Sequence, residues 1–491
     1  MPKDAAEWLD ILEVRLRARR ADDGDRLGLQ TLADYAEGRP RPPRGVDRAS
    51  DAWQAFQRMA RTNYCEPVLR AVTDRLRLTS FYTAAADDEN GDQTVAEFWR
   101  ANDMPARERS IYRLAGMMRD AYVMVSDPAS ASHGHAVATI EDPRYTITDH
   151  DPLTGEVRAA LKTVYDDTLK TWRAWVMVRG EDGAGCEVTY WVKAGERNVA
   201  GMTSGGWTQT DEPKRLPFPD VPVVRYTCDA AGEGMAEHEP AIDIVDRINS
   251  GILLRLVVAF NQAFRRTAFV KSADADALDT GVEPSDPDDP DSPVVERAID
   301  DEFENSPAAM WDLPHGWEVW ESAVTDLGPL LNAETKDLQH LAAVTRTPMD
   351  YLVPDGANQS AEGAALKREN LLARVEDRQA SYGSAHARVV RLAMLWRDDA
   401  ERANLLGIQP LWRPAQQPSL AERSAAAVQQ KAAGVPWRTL MRTVLQYSPD
   451  DVARMEGERA ADLLYADAQP AATPAGTAQA PTQQQPAASG G

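Results

Sequence analysis

Apolar residues recur at helical spacing through residues 327 to 396, with one interruption. Leu327, Leu330, Leu331, Leu338, Leu341 and Val344 give one helix an apolar face. Pro348 ends that run, because its ring disfavours helix at the preceding residue. Ser360 is placed as an N-cap, with Gly363 and Ala364 in the first turn of a second helix. Beyond it Leu366, Asn370 or Leu371, Val375, Tyr382, Val389, Leu392 and Trp396 keep one face apolar. Lys367, Arg368, Glu369, Arg374, Glu376 and Asp377 fall mostly on the other. The pattern predicts a helix, a short Pro- and Gly-bearing loop, and a helix about twice as long. Any helical hairpin has this periodicity, so the period alone names no function.

The same reading extends along the chain. An amphipathic N-terminal helix carries Trp8, Leu9, Leu12 and Leu16, and a helical stretch from Ala52 to Leu78 holds Phe56, Met59, Val68, Val72 and Leu76. From Ala136 to Tyr226 the texture is β, with alternating or β-branched runs at 137–140, 159–165, 172–178, 188–192 and 223–226. Gly/Asp turns at 151–155, 180–185 and 201–206 separate them, which predicts a small antiparallel sheet. After Gly234 and Pro240, Val245, Ile248, Ile252, Leu256, Phe260 and Phe264 mark a helix to Arg266. It is roughly 40 Å long at 1.5 Å per residue. Past Trp396, helices are predicted over Ser419 to Gly434, Trp437 to Gln446, and from Ser448-Pro449-Asp450-Asp451 through Leu464. From Gln469 onward an uncharged Ala/Pro/Thr/Gln/Gly composition predicts a flexible tail. No internal repeat is evident.

Composition narrows the function classes. At 491 residues and 54.0 kDa the chain exceeds one compact core. Its longest apolar run, near Ile252 to Phe260, is broken by Arg255 and falls far short of a membrane span. Met1-Pro2-Lys3-Asp4 lacks an apolar signal core, and Cys65, Cys186 and Cys228 form neither a zinc spacing nor a disulfide frame; both point to a reducing cytoplasm. Lys and Arg number 54 against 77 Asp and Glu, a net charge of −23. Tight duplex binders cluster Lys and Arg, and no long basic run occurs here. Either DNA is not a partner of this chain, or DNA passes it without sticking; the charge is compatible with a conduit and argues against a DNA-binding regulator.

Catalytic patterns are weak. No Walker A sequence occurs. Gly180-x-x-Gly183-x-Gly185 precedes a strand and reads as a hairpin turn. His133-Gly134-His135 has no further ligands around it in sequence and reads as solvated loop. Asp286-Pro287-Asp288-Asp289-Pro290-Asp291 lacks the Gly and terminal Glu of a calcium loop. Ser204, in Gly201-Met202-Thr203-Ser204-Gly205, is not a nucleophile elbow. Neither a cofactor nor a metal is expected, and the chain reads as no enzyme.

Thr347-Pro348-Met349-Asp350-Tyr351-Leu352, followed by Asn358-Gln359-Ser360-Ala361-Glu362-Gly363, resembles the tunnel-loop region of portal proteins, which sit at the head-to-tail vertex of tailed double-stranded DNA bacteriophages. Other segments keep the family's order: Tyr35 to Pro40, then Asn63, Val68, Arg75, Leu76 and Phe81, then Trp99-Arg100-Ala101-Asn102, the apolar run 121–125, and the turn at Ala433 to Pro436. Ser80 stands where a Gly is usual, and Arg119 and Asp120 replace a small residue.

The resemblance, to the long-tailed phage type, implies an α+β, mainly α fold. Its expected parts are a wing (1–238, with the sheet at about 136–226), a stem helix (239–266), a clip (267–320), a second stem helix (321–346), a tunnel loop (347–360), a long helix (361–409), a helical crown (410–465) and a disordered tail (466–491). It implies a closed ring of about twelve subunits that passes double-stranded DNA for packaging and ejection. Implied partners are the large terminase, then a head-completion or adaptor protein, with scaffold and major capsid proteins and no membrane. The implied location is the virion's portal vertex, after assembly in the host cytoplasm. Met349, Asp350, Tyr351, Leu352, Asn358 and Gln359 are the expected channel loop. Lys336, Arg346, Lys367 and Arg368 are candidate DNA-facing residues, with solvated helix faces or intersubunit salt bridges as the alternative. Trp311, Trp317 and Trp320 are the expected docking residues of the clip. The rival readings are a packaging nuclease or terminase subunit, which needs a metal cluster or phosphate loop, and a phage scaffold or regulatory protein.

Overall fold

The computed structural model describes residues 2, 4–43, 51–85, 91–180, 185–195, 205–229, 234–263, 267–271, 282–284, 294–296, 317–321, 323–353, 361–416, 420–447 and 449–468. Helices α1 (Ala5–Arg20), α2 (Leu29–Ala36), α3 (Asp51–Met59) and α4 (Cys65–Thr73) precede strand β1 (Leu78–Tyr82). Helices α5 (Gln93–Ala101) and α6 (Met104–Met118) follow. A β-rich stretch then holds β2 (Asp120–Ser126), β3 (Val137–Glu141), β4 (Thr146–His150), β5 (Val157–Asp166), β6 (Thr171–Arg179), β7 (Cys186–Ala194), β8 (Thr208–Gln209), β9 (Lys214–Arg215) and β10 (Val223–Thr227). Helix α7 (Ile242–Ala263) leads into β11 (Thr267–Lys271), β12 (Val282–Pro284), β13 (Val294–Glu296) and β14 (Trp317–Glu321). The rest is α8 (Gly328–Val344), the single turn α9 (Met349–Leu352), α10 (Ala361–Trp396), β15 (Gln409–Trp412), α11 (Leu420–Ala432), α12 (Trp437–Thr439) and α13 (Pro449–Ala468).

These elements form two compact units. The first comprises Met1–Gln30, Leu69–Glu237 and Ala361–Gly491; the second comprises Thr31–Val68 and His238–Ser360.

In the first unit, the single expected sheet is two sheets. One has the order β10-β2-β3, and the other β4-β5-β6-β7-β8 with β9 also on β7. The chain breaks between them at Asp142 to Tyr145. The Tyr145 N–H donates to the Asp142 carbonyl (2.9 Å), and the Arg144 guanidinium grips the Asp142 carboxylate, which fixes the turn between the two sheets. The larger sheet packs its alternate residues Ile147, Leu161, Ala174 and Val176 on Trp8, Leu9, Leu12 and Leu16 of α1. Each Leu, Ile or Val among them contributes about 1.5–3 kcal/mol when fully buried. Asp4 caps α1 by accepting from the Glu7 N–H (2.9 Å). The Gly180–Gly185 segment is the β6–β7 hairpin expected, closed by the Gly180 N–H on the Gly185 carbonyl (2.8 Å).

Helix α10 settles an ambiguity in its own pattern. Leu371, not Asn370, lies on the buried face with Val375, Tyr382, Val389 and Leu392. The expected continuation to residue 409 does not occur. The helix ends at Trp396, and the chain turns through Leu405–Gly407 into β15. That strand pairs antiparallel with β1, Leu78 opposite Trp412 and Tyr82 opposite Gln409.

The expected helix from Ala52 to Leu78 is also interrupted. Asn63 explains the break: its side-chain oxygen accepts from the Glu66 N–H (3.1 Å), capping α4, while its amide donates to the Ala36 carbonyl (2.9 Å).

In the second unit α7 and α8 run antiparallel. Arg247 pairs with Asp337 (2.8 Å), Arg255 with Glu334 (2.7 Å), and the Gln262 amide donates to the Thr325 carbonyl (3.3 Å). Val245, Ile248, Ile252 and Leu253 of α7 and Leu338 and Leu341 of α8 are buried. Between the two helices lie the antiparallel pairs β11–β14 and β12–β13. Among the described residues no helix is long and apolar enough to cross a membrane.

Candidate functional site

The segment after α8 begins with a helix stop that the sequence reading assigned to the wrong residue. The helix ends at Val344, four residues before Pro348. Arg346 takes a left-handed conformation (φ 51°), its N–H donating to the Ala343 carbonyl (3.3 Å) and the Thr347 N–H to that of Ala342 (3.0 Å). These two bonds are the paired closure of a Schellman cap. Thr345 and Thr347, both buried, add hydroxyl bonds to the carbonyls of Leu341 (2.8 Å) and Thr345 (3.3 Å). The chain therefore leaves α8 at a fixed angle, and Pro348 then opens α9.

Of the expected channel loop, Met349, Asp350, Tyr351 and Leu352 form that turn, closed by the Val353 N–H on the Met349 carbonyl (2.8 Å). Leu352 is buried and the other three are half-buried. Asn358 and Gln359 lie outside the described residues, as does the Ser360 cap. Lys336 and Arg346 are exposed in the second unit. Lys336 donates to Gln339 one turn on (3.2 Å), the behaviour of a solvated helix face. Lys367 and Arg368 belong to α10 in the first unit; Arg368 is exposed. The structure thus distributes the four cations between both units. Of the tryptophans, Trp317 and Trp320 sit on β14, where Trp320 is 55% exposed, and Trp311 lies outside the described residues. The acidic run 286–291 lies outside them too.

Sequence reasoning missed the polar core of the first unit. His386, fully buried in α10, takes a hydrogen bond at each ring nitrogen: Tyr112 at Nε2 and Tyr226 at Nδ1, both 2.8 Å. Burial lowers its pKa to about 3, so the ring is neutral and donates through one nitrogen while accepting through the other. Tyr112 stacks on Tyr382 (5.5 Å between centroids), whose hydroxyl meets the Cys228 thiol (3.2 Å). Cys65, Cys186 and Cys228 are all buried, and burial pushes the Cys65 and Cys186 thiols up to about 12. Arg374, expected on the solvated face, is buried and grips the Glu237 carboxylate, which also accepts from Arg378 (2.5 Å). Burial alone raises the Glu237 pKa, but Arg374 and Arg378 together hold it below the usual carboxylate value. One signal was available: Arg374 falls three residues after Leu371, on the border of the apolar face. Among the described residues no group of three or more His, Cys, Asp or Glu side chains is placed to hold a metal.

This frame can hold a rigid shape and present surfaces. The model of the family described as phage portal protein, SPP1 Gp6-like, matches residues 76–462. The chain belongs to that portal family. The match runs from the residues just before β1 into α13, so it takes in both sheets, the α7–α8 pair, the turn α9 and all of α10. As a phage portal protein the chain is a structural component, the head-to-tail connector of a virion. Comparison with curated proteins gives no match. Among solved structures, the portal is similar to a chain in the neck of an empty GTA particle computed with C6 symmetry, at 14% identity and a TM-score of 0.42, covering 85% of this chain and 98% of that one. It is also similar to a chain in the neck of a native GTA particle computed with C12 symmetry, at 13% identity and a TM-score of 0.41, covering 82% and 95%.

Proposed function

We propose that this portal protein acts as one subunit of a closed ring, of about twelve copies, whose passage carries double-stranded DNA into a capsid and out again. The observation that supports the ring best is the state of the α7–α8 pair. Within one chain, Leu254 (56% exposed) and Phe260 (50%) of α7 and Leu331 (47%) and Val344 (48%) of α8 remain in contact with solvent. Large apolar groups on two helices held by their own ion pairs suit a contact with neighbouring copies. A ring closes through one patch meeting a different patch on the next copy.

In this reading the segment Met349 to Gln359 narrows the passage, with Leu352 anchoring it and the half-buried Met349, Asp350 and Tyr351 beside it. The net charge of −23 keeps DNA moving by repelling phosphate. Lys336, Arg346, Lys367 and Arg368 meet phosphates transiently. The large terminase docks on the clip at Trp311, Trp317 and Trp320 and is replaced by a head-completion protein, while scaffold and major capsid proteins surround the wing. Assembly takes place in the host cytoplasm and the ring ends in the virion.

Light scattering on the purified chain tests the ring: a mass of several hundred kilodaltons is expected, and a 54.0 kDa particle at every concentration rules it out. Removing Met349 to Gln359 tests the constriction in a portal-null phage. Heads are expected to form but not to fill or retain DNA, and wild-type filling would separate the loop from the passage.

A further inference from the structure

A cavity of about 410 Å³ opens beside β1 in the first unit, and the portal reading assigns it no role. Leu78, Phe81, Ala96, Trp99 and Pro105 give it apolar walls. Its charged lining is Arg77, Arg100, Arg413, Asp92 and Glu108. These acids and bases are not equivalent.

Asp92 is already committed. One carboxylate oxygen accepts from the Val95 N–H (3.2 Å) as the cap of α5, and the other accepts from the Thr83 hydroxyl (2.5 Å) and the Arg402 guanidinium (2.8 Å). Glu108 is not. It is only 3% exposed; Oε1 accepts a long bond from the Leu78 N–H (3.4 Å), and Oε2 has no hydrogen-bond partner. A buried polar oxygen without a partner is unfavourable, and such groups mark places where a ligand is missing. At the solvent end stand Arg100 and Arg413, both exposed, with no side-chain hydrogen bond or ion pair among the described residues. Guanidinium forks match carboxylates in shape and charge.

The state of Glu108 decides what it can recognise. Desolvation raises its pKa to about 7, against smaller opposing effects of hydrogen bonds from Leu78 and Trp99. Its buried aromatic neighbours stay uncharged there. Tyr112, one turn along α6, and Tyr226 of β10 are pushed well above their ordinary value by burial, and His386 of α10 stays neutral. Asp92 and Arg100 face it from α5, Arg77 from the start of β1, and Arg413 from the end of β15. Below neutral pH, Glu108 therefore offers an O–H donor beneath a positively charged mouth.

We propose that this cavity is a binding site for a short-chain dicarboxylate. One carboxylate lies across Arg100 and Arg413, the apolar stem runs along Trp99 and Phe81, and the second carboxylate accepts the Glu108 proton. The same two groups can come from a free small molecule or from neighbouring acidic side chains of a peptide.

Calorimetry on the full chain tests this with glutarate, its uncharged diamide, and an N-acetylated, amidated Glu-Glu dipeptide. Glutarate is expected to bind at about pH 6 and about tenfold more weakly at about pH 8, where Glu108 is ionised. The diamide is expected to give no heat. Binding of glutarate with exclusion of the dipeptide identifies a small-molecule site; binding of the dipeptide identifies a socket for acidic side chains. The Arg100→Ala, Arg413→Ala double variant is expected to lose binding by at least about tenfold. Glu108→Gln keeps a donor and is expected to bind equally at both pH values. Silence with both acids, binding of the diamide, or unchanged affinity in the double arginine variant would overturn the proposal. So would pH-independent binding by the unaltered chain.

Discussion

The two units treat their difficult side chains in opposite ways. In the first, the polar groups at its centre are buried and satisfied: His386 is bonded on both nitrogens, and Glu237 is held between Arg374 and Arg378. In the second, ion pairs tie α7 to α8 while Leu254, Phe260, Leu331 and Val344 stay exposed. A network whose hydrogen bonds close within one chain, as around His386 and Glu237, has a single geometry and needs no neighbour. A helical pair with uncovered apolar residues is complete only in company. In the proposed ring, the difference separates what holds a portal subunit in shape from what makes subunits meet.

The sharpest way to break that contrast is to make the exposed apolar groups polar. Leu254→Ser with Leu331→Ser is expected to abolish the high-mass species in light scattering. Stability of the isolated chain should move by no more than about 0.5 kcal/mol, as for substitutions at exposed positions. Intact assembly would place the contact surface elsewhere, and a large loss of stability would make these residues core.

Next in size is Arg374→Met. With Arg374 gone, Glu237 stays buried with only Arg378 beside it, and breaking a buried pair in this way costs about 3 kcal/mol. The loss is read from the urea midpoint of an assembly-deficient background. A change under about 0.5 kcal/mol would mean that Arg378 and the backbone satisfy the carboxylate alone.

Glu108 gives a smaller, pH-dependent effect. Its pKa is about 7 in the folded chain, above the ordinary 4.5. The folded state therefore binds the proton more tightly than the unfolded state. The resulting stability is complete below about pH 4.5 and is lost as pH rises through about 7. Glu108→Gln removes the dependence. Its stability relative to the unaltered chain is expected to climb by about 2–3 kcal/mol between about pH 5 and pH 8, read from denaturation midpoints. A constant difference would show that Glu108 titrates normally.

Much of the second unit, and the larger sheet of the first, was legible in the sequence because their signals are local. The period of α7, with Val245, Ile248 and Ile252 buried, and the β-branched runs that became β5, β6 and β7 need only neighbouring residues to be read. The first unit's core was not legible, since its partners are far apart in the chain. Tyr112, Tyr226 and His386 meet from three elements, and β1 finds β15 across more than three hundred residues. No periodicity encodes such pairings. Arg374 and Glu108 look like solvated charges on amphipathic helices until tertiary packing buries them. The helix stop was misassigned for a related reason. Proline is the louder local signal, whereas a left-handed arginine has none.

That arginine supplies the smallest and most discriminating comparison. Both units hold an arginine at positive φ: Arg119 (70°) in the first and Arg346 (51°) in the second. An L-residue there costs roughly 1–2 kcal/mol, which glycine avoids, although glycine gives back part of the gain through a freer unfolded chain. Arg119 has compensation. It is buried, and its guanidinium donates to the Leu27 carbonyl (3.0 Å), a charged hydrogen bond contributing roughly 1.5–3 kcal/mol. Arg346 is exposed and has no such bond. Arg119→Gly is therefore expected to destabilise the chain by about 1 kcal/mol, and Arg346→Gly to stabilise it by about 0.5–1 kcal/mol. Urea midpoints of both variants check the signs. A strained residue that gains nothing locally points to use elsewhere, and the use proposed above is contact with DNA. Arg346→Gly should then raise the midpoint while lowering the fraction of DNA-filled heads, whereas Arg346→Lys should restore filling without the gain in stability. Full filling with glycine at this position would remove Arg346 from the DNA-facing set and leave its left-handed turn as a feature of the cap alone.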